Sequence, residues 1–412
     1  MSRPHRGRKF LIAMVGLPAR GKTFTARKMV GYLSWLGYPT RAFNVGEQRR
    51  VVYGAGQTHE FFDPANEDGA RQRNALAEEE LGEAFAWLRA EGRIAIFDAT
   101  NSTVERRRRI RERAVAEDRE LLFVEIVNDD PAIVEANIRE TKLRSPDYTG
   151  VPEERALDDF RHRIAHYEAA YQTLGESEGP WIRLRNRGSQ VVINQVDGYV
   201  AGRVVFFLSN LQVTDRPVWL TRHGQSLYNV AGRIGGDAAL SRAGQEYSQH
   251  LARHVRETFP PGGSLDVWTS TLRRTIQTAD PLGIEVGPWK ALDEIHAGVC
   301  DGLTYLEIEK RMPAEFEARR RDKFEYRYPR GESYRDVVQR IDRVLIELER
   351  YRTPVLVIAH RAVLRAMIAY YLQLPAEETP TVDVPLHTVI KLTPTAYGCL
   401  EERVALDPQV EG

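Results

Sequence analysis

Residues 11–23 read L-I-A-M-V-G-L-P-A-R-G-K-T, and this stretch decides the fold of the first half of the chain. An apolar run leads into G-x-x-x-x-G-K-T, from Gly16 to Thr23, and the amphipathic stretch T-A-R-K-M-V-G-Y-L-S-W-L follows. The motif carries weight only when it leaves a strand and opens a helix, and both flanks are present. Gly16 and Gly21 let backbone N–H groups close around phosphate oxygens at a helix N-terminus, where the dipole favours negative charge. Gly16, Leu17, Pro18, Ala19, Arg20, Gly21, Lys22 and Thr23 are therefore expected to cradle a nucleotide, with Lys22 on the β/γ-phosphates and the Thr23 hydroxyl on Mg2+. An ordinary glycine-rich turn is the plainer alternative.

The remaining totals set bounds. A chain of 412 residues is too long for one ordinary core and suggests about two domains. Lys+Arg and Asp+Glu are equal at 58 each, so no global excess points to nucleic acid or to a membrane surface. Two cysteines, Cys300 and Cys399, exclude a disulfide framework, and a reducing, cytoplasmic compartment is the expectation. The N-terminal F-L-I-A-M-V-G-L is short, lacks a cleavage site and is needed as the phosphate-loop strand, so it is not read as a signal peptide. No apolar run approaches the ~18 residues of a membrane span.

Beyond the first helix, P-T-R-A-F-N-V-G reads as a strand, residues 70–91 as a helix ended by Gly92, and R-I-A-I-F-D-A-T-N as a buried strand closing at Asp98. An Asp at that place downstream of a phosphate loop suits Mg2+, although helix caps and turns use Asp there too. Five arginines lie between Arg106 and Arg111; most are expected on a solvated face, with Arg106 nearest the site. L-L-F-V-E-I-V is a further strand, a helix begins near Pro131, and a helix over 153–174 puts Arg163 and Tyr167 on one face. Strands alternating with helices predict a parallel α/β sheet with ligand at the strand C-termini. Residues 210–217, with Asp215, look like a seam.

The second half has its own chemistry. P-V-W-L-T-R-H-G ends an apolar strand in Arg222-His223-Gly224, and V-L-V-I-A-H ends another in His360. Arg-His-Gly with a distant second histidine is the pattern of the histidine phosphatases. Imidazole is unprotonated near neutral pH and can take a phosphoryl group. Arg222, Arg274 and His360 can supply donors to its oxygens, and Glu294 in L-D-E-I-H-A-G can protonate a leaving oxygen. Residues 316–334 mix basic and aromatic side chains densely. In a neutral chain, a lid over an anionic sugar phosphate fits better than nucleic-acid binding.

Taken together, the chain resembles the bifunctional 6-phosphofructo-2-kinase/fructose-2,6-bisphosphatase family over residues 9–405. The resembling stretches include G-L-P-A-R-G-K-T, F-N-V-G-x-x-R-R, F-D-A-T-N, K-L-x-S-P-D-Y, R-H-G-x-S, G-R-I-G-G-D, R-T-I-Q-T-A, Y-R-Y-P-x-G-E-S-Y and L-H-T-V-I-K-L-T-P-x-A-Y-G-C. The resemblance implies an α/β protein of two domains. An N-terminal P-loop kinase domain, 1–214, with a mostly parallel sheet and helices on both faces, precedes a C-terminal histidine-phosphatase α/β domain of the phosphoglycerate-mutase-like kind, 215–412. It implies that the chain makes fructose 2,6-bisphosphate from fructose 6-phosphate and ATP, and hydrolyses it through a phosphohistidine.

Carried over by residue, Gly16–Thr23 and Asn137–Lys142 would hold ATP, Thr23 and Asp98 Mg2+, and Lys142 the transferring phosphoryl group. Arg49, Arg73, Thr100, Arg106, Arg163 and Tyr167 would hold fructose 6-phosphate. His223 would be the nucleophile, Glu294 the acid and base, and Arg222, Asn229, Arg274 and His360 the phosphoryl ligands. Gly235, Tyr305, Arg319, Lys323, Tyr334, Arg361 and Arg365 would lie around the rest of the bisphosphate. A homodimer is also implied, with no nucleic acid or membrane as partner. Gln225 stands where many members have Glu, with little expected effect. Arg361 stands where animal members have Gln, and adds charge near the substrate. Asn128 stands where animal members have Cys, so thiol-dependent behaviour is not expected. The phosphorylatable tails of the family are not seen, so control of that type is not expected. A P-loop kinase for another sugar or for nucleic-acid ends, a mutase, and a non-catalytic metabolite sensor remain as alternatives.

Overall fold

The computed structural model describes residues 9–143, 145–211, 216–259, 264–395 and 398–406; the side chains of Thr141, Lys142 and Arg187 are outside that description. The chain divides into two compact units, Met1–Leu211 and Gln212–Gly412. Asp215, in the expected seam, lies outside the described residues.

The first unit is built on a six-stranded sheet. β1 (Phe10–Val15), β2 (Thr40–Asn44), β3 (Ile94–Asp98), β4 (Glu120–Val127), β5 (Trp181–Arg185) and β6 (Gln190–Asn194) stand in the order β2-β3-β1-β4-β5-β6. β6 runs antiparallel to β5, and the other pairings are parallel. β1 is central, and all six of its residues are buried. Such a strand is covered on both faces, which is why it reads as continuous apolar sequence rather than as alternation. One face packs on Phe85, Leu88 and Ile110 from the helices Glu67–Ala90 and Val104–Ala116. Burying each large side chain of this kind stabilises by about 1.5–3 kcal/mol before entropy is counted.

Parallel register brings the functional ends together. Val15 pairs with Glu125 and Asn44 with Asp98, so the loops after β1, β2, β3 and β4 open on one edge. Three local features go beyond or depart from the sequence expectations. Glu47–Arg50 lie inside a helix, Val45–Tyr53, which Asn44 caps by accepting from Glu47 N at 2.8 Å. The helix expected over 153–174 spans Glu153–Ala170, because Tyr171 turns extended at φ −75°, ψ 129°. The helix from Pro131 ends at Asn137 and continues as a π-helical turn, Ile138–Lys142. Such turns recur at functional sites.

The second unit has the order β12-β11-β7-β10-β8-β9, from β7 (Val218–Arg222), β8 (Asp266–Thr269), β9 (Val286–Pro288), β10 (Val355–Ala359), β11 (Thr388–Thr395) and β12 (Gly398–Ala405). β7, β10, β8 and β9 are parallel, and β11 and β12 are antiparallel additions. β12 forms the outer edge, where Glu401, Glu402 and Arg403 discourage pairing with another chain. The basic and aromatic segment 316–334 is helical to Arg321, and its Phe324, Tyr328 and Tyr334 are buried. Phe316 and Tyr326 of the same segment are half-buried.

Candidate active sites

In the first unit, Gly16 adopts φ +136°, and a Cβ there would stand 2.5 Å from the Ile126 carbonyl oxygen. Only glycine lets the loop pass that close to β4. Gly16 N donates to the Thr100 carbonyl at 3.0 Å, tying the loop to the end of β3. Gly21 sits left-handed at φ +96°, directly before the helix Lys22–Trp35, and no side chain caps that helix. Its first-turn N–H groups therefore suit an outside acceptor. Lys22 is buried and donates to the Leu17 carbonyl at 2.6 Å, folded back over the loop. Asn137 Nδ2 donates to the Ala19 carbonyl at 2.9 Å, so the expected nucleotide residues on the two loops touch. A cavity of about 560 Å³ opens beside Leu17 and Arg20, walled by Val134, Ile138 and Ile164, with Asn128 on its rim.

Asp98 is buried, and its Oδ2 accepts from Asn44 Nδ2 at 2.5 Å. That partner comes from β2, the strand next to β3, and fixes how the carboxylate is presented. The Lys142 side chain lies outside the described residues.

Three of the expected sugar-phosphate ligands, Arg73, Arg106 and Arg163, gather as a cationic cluster around Tyr167. Burial lowers the affinity of Arg73, Arg106 and Arg163 for their protons, Tyr167 opposes this in each, and neighbouring arginines repel Arg73, Arg106 and Arg163 further. Arg163 lies with its guanidinium carbon 3.5 Å from the centre of the Phe62 ring. Asp147 is the carboxylate that holds Arg49, at 2.5 and 2.7 Å, with Arg50 at 3.6 Å and Arg163 at 3.9 Å. Arg49 Nε and Nη1 and Arg163 Nε are buried without an acceptor. Buried guanidinium donors left unpaired are costly and suit a phosphate. Arg106 Nε donates to Asn101 Oδ1 at 3.1 Å, and Asn101 Nδ2 to the Met14 carbonyl at 2.7 Å.

In the second unit, Arg222 pairs with Ala359, so His223 and His360 leave adjacent strand ends side by side. Their ring centroids are 5.1 Å apart and both are buried. His223 Nδ1 donates to the Gly224 carbonyl at 2.7 Å, which leaves the Nε2 lone pair for attack. Burial first, then the charges of Arg274 and Arg222, hold His223 well below the usual imidazole range. His360 donates from Nε2 to Ser270 Oγ at 2.8 Å and accepts at Nδ1 from Arg274 Nε at 3.3 Å. It too is held well below the usual range, by burial and then Arg274.

Burial pulls Arg222 down to about 10, and Glu294 opposes this. Its Nη1 donates to the Val384 carbonyl at 3.1 Å, and its Nε is buried without an acceptor. Glu294 Oε1 accepts from Ile295 N at 2.9 Å and from Ala362 N at 3.2 Å. The outcome is two imidazoles held toward the neutral form, two arginines and an oriented carboxylate, a set that suits phosphoryl transfer to histidine.

A 6-phosphofructo-2-kinase family model matches residues 1–215, and a histidine phosphatase superfamily (branch 1) model matches 218–406. A Gallus gallus protein named 6-phosphofructo-2-kinase/fructose-2,6-bisphosphatase is 47% identical over 96% of this chain and 85% of its own length. The Homo sapiens protein named 6-phosphofructo-2-kinase/fructose-2,6-bisphosphatase 4 is 46% identical over the same shares, 96% and 85%. An Arabidopsis thaliana relative of the same name is 45% identical over 98% of this chain, which spans 55% of that longer protein.

The chain belongs to the 6-phosphofructo-2-kinase/fructose-2,6-bisphosphatase family. Several other site residues expected from that family carry identifiable contacts in the second unit. Arg319 donates to Tyr305 Oη at 2.9 Å and to Tyr328 Oη at 2.8 Å, and Arg365 donates to Tyr334 Oη at 3.2 Å. Lys323 is pulled down to about 8 by burial and then by Arg365, Arg319 and Arg361, and its Nζ donates to the Pro380 carbonyl at 3.3 Å. Gly235 lies at φ +71° against the Asp301 carboxylate, where a Cβ would collide. Asn229 Oδ1 is used locally, accepting from Ser226 N and Oγ at 2.9 and 3.0 Å. Gln225 Oε1 accepts from Ser241 Oγ at 2.8 Å. Arg361 is exposed at the start of the helix Arg361–Tyr371.

Sequence reasoning missed Asn44, Asn101, Asp147 and Ser270, each of which positions a site residue. Asp147, Asn44 and Asn101 lie inside motifs already noted, K-L-x-S-P-D-Y, F-N-V-G and F-D-A-T-N, and so could have been singled out.

Proposed function

We propose that this chain both synthesises fructose 2,6-bisphosphate from fructose 6-phosphate and ATP and hydrolyses it to fructose 6-phosphate and phosphate. Residues 1–214 are assigned the kinase and 215–412 the phosphatase. The observation that supports the reading is the combination, in one chain of this family, of an uncapped phosphate loop and buried arginine donors without acceptors in one unit with a buried histidine beside two arginines in the other.

In the kinase, Gly16–Thr23 bind the ATP phosphates, Asn137–Lys142 flank them, and the cavity beside Leu17, walled by Val134, Ile138 and Ile164, takes the base. The fit to Mg2+ rests on one buried carboxylate, Asp98, and one hydroxyl, Thr23. That is sufficient for an ion that completes its shell with phosphate oxygens and water, and it would offset charge on the transferring group. Arg49, Arg73, Arg106 and Arg163 bind the sugar phosphate, with Thr100 and Tyr167 beside them. Positioning and charge neutralisation carry much of the rate, since no carboxylate other than Asp98 is assigned as base.

In the phosphatase, His223 Nε2 attacks the 2-phosphoryl group while Arg222, Asn229, Arg274 and His360 neutralise its oxygens. Glu294 gives its proton to the leaving sugar oxygen. It then takes one from the water that attacks the phosphohistidine, which releases phosphate and frees His223. Gly235, Tyr305, Arg319, Lys323, Tyr334, Arg361 and Arg365 hold the remainder of the bisphosphate. The protein acts as a homodimer in the cytoplasm, without nucleic acid or membrane. No helix among the described residues is long and apolar enough to cross a membrane.

The test is a pair of variants assayed for both reactions. Lys22→Ala is expected to abolish the kinase and spare the phosphatase, and His223→Ala to do the reverse. Phosphorylation of other polyols or RNA ends by purified protein and MgATP, with fructose 6-phosphate untouched, overturns the reading.

A further inference from the structure

Glu332, in the stretch Y-R-Y-P-R-G-E-S-Y, has no part in either reaction as assigned, yet it lies against the loop that carries Glu294. Glu332 N donates to the His296 carbonyl at 2.9 Å, and His296 N donates back to Glu332 Oε2 at 2.9 Å. A Cβ on Gly331 would stand 2.3 Å from that same carbonyl oxygen, so the two loops meet at a distance that glycine alone permits.

Arg340, on the helix Tyr334–Arg350, completes the contact. Its Nε and Nη2 donate to the two Glu332 carboxylate oxygens at 2.7 and 3.1 Å. Nη2 also donates to the Asp293 carbonyl at 2.7 Å and the Glu294 carbonyl at 3.3 Å, and Nη1 donates to the Ala291 carbonyl. One guanidinium thus grips three carbonyls of the acid loop together with a carboxylate that itself holds His296 N. A second tie comes from Thr271, whose N and Oγ1 both donate to Asp293 Oδ1 at 2.8 Å. The backbone on either side of Glu294 is therefore fixed, and the Glu294 carboxylate reaches Ala362 N from that fixed base. Arg340 and Glu332 are half-buried, and an ion pair near solvent adds little to stability by itself. What the planar fork supplies is geometry.

We propose that Arg340 and Glu332 are positioning residues for the phosphatase, holding the backbone at 293–296 so that the Glu294 carboxylate is kept at Ala362 N and ready to exchange its proton. The inference rests on the phosphatase reading above. Neither residue touches the substrate. Arg340→Met keeps much of the stem but removes every donor, and a carboxylate displaced by about 1 Å costs about 10²-fold in rate. The arginines that bind the bisphosphate lie elsewhere and are left in place. Arg340 also disfavours a proton on His360 through its charge, and Arg340→Lys separates that effect from the fork, since it keeps the charge and loses the geometry.

The test measures phosphate release from fructose 2,6-bisphosphate by the full chain, with the kinase rate and Tm as checks of folding. Arg340→Met is expected to lower kcat by about 10–100-fold with KM changed by less than about threefold, and Arg340→Lys to restore less than about a tenth of the parent rate. Glu332→Ala is expected to lower kcat in the same way. In a Glu294→Gln background each substitution is expected to cost less than about threefold more, because the carboxyl group it positions can no longer give a proton. A full additional loss in that background, a rise in KM with unchanged kcat, recovery of the parent rate in Arg340→Lys, or an unchanged rate in folded Arg340→Met each overturns the proposal. If Arg340→Met does not fold, Arg340→Lys and Glu332→Ala carry the same comparison. A parent chain that releases no phosphate from the bisphosphate refutes the phosphatase reading itself, whereas an active parent with a normal Arg340→Met variant refutes the positioning role alone.

Discussion

Glu294 Oε1 accepts a hydrogen bond from Ala362 N at 3.2 Å, which places the carboxylate at the start of the helix that follows His360. The helix Arg361–Tyr371 has no cap from His360 itself, so Glu294 does the capping from a distant loop. The same contact fixes the proposed acid relative to the second histidine. Glu294→Gln keeps the acceptor oxygen and the shape but cannot exchange a proton. Phosphatase kcat is expected to fall by about 10²–10⁴-fold, with kinase rate and Tm little changed. A steady-state assay of both reactions checks this, and a phosphatase loss under threefold contradicts the assigned role.

Two groups besides Glu294 shape the pH profile of the phosphatase. Protonated His223 cannot attack, and its proton affinity is held well below the ordinary imidazole value, so the acid limb of kcat/KM is expected below pH ~6.5. Lys323, lowered to about 8, is charged below that pH and neutral above it. An anionic substrate is attracted by the charged form, so kcat/KM is expected to fall as pH rises through about 8. Lys323→Arg keeps the charge and is expected to remove the alkaline limb. Measuring kcat/KM from acid to alkaline pH, with and without that substitution, decides both points.

Arg107 is the arginine of its run that cannot be spared for stability. It is fully buried, paired with Glu178 at 2.7 and 2.9 Å, and donates to the Asn101 and Gln172 carbonyls at 3.1 and 2.8 Å. Arg107→Ala leaves Glu178 and two carbonyls without this partner and is expected to cost about 3–5 kcal/mol. Arg108→Ala and Arg109→Ala, whose exposed side chains pair with Glu105, are expected to change stability by about 0.5 kcal/mol or less. Thermal unfolding of the three variants gives the comparison.

That run also shows where the sequence stops being legible. The phosphate loop, Asp98, Arg222-His223-Gly224 and His360 could be read because each sits at the end of an apolar strand, a local signal. Arg106 and Arg107 are neighbours of identical chemistry, yet one joins the arginine cluster and the other a buried ion pair with a residue 71 positions away. No local pattern separates them, because the partner is supplied by the fold. The helix Val45–Tyr53 was hidden for a related reason: Asn44 ends β2 and caps the helix at once, leaving no linker to mark the change. The early end of the helix at Ala170 depends on Tyr171, whose hydroxyl meets the buried Glu125 of β4.

Asp147 offers a test of how the arginine cluster is held before substrate arrives. Its carboxylate faces Arg49, Arg50 and Arg163, of which Arg49 and Arg163 retain buried donors without acceptors. Asp147→Ala removes the counter-charge and is expected to lower stability without substrate by about 3–5 kcal/mol, the cost of breaking a buried pair. A phosphate monoester placed among the same guanidinium groups supplies negative charge and acceptors again. Fructose 6-phosphate is therefore expected to raise Tm by more in the Asp147→Ala protein than in the parent, since a ligand that binds only the folded state stabilises it by its own free energy of binding. Equal Tm shifts in the two proteins would show that the sugar phosphate does not relieve this cluster, and a smaller shift would show that Asp147 is needed to orient the arginines for binding.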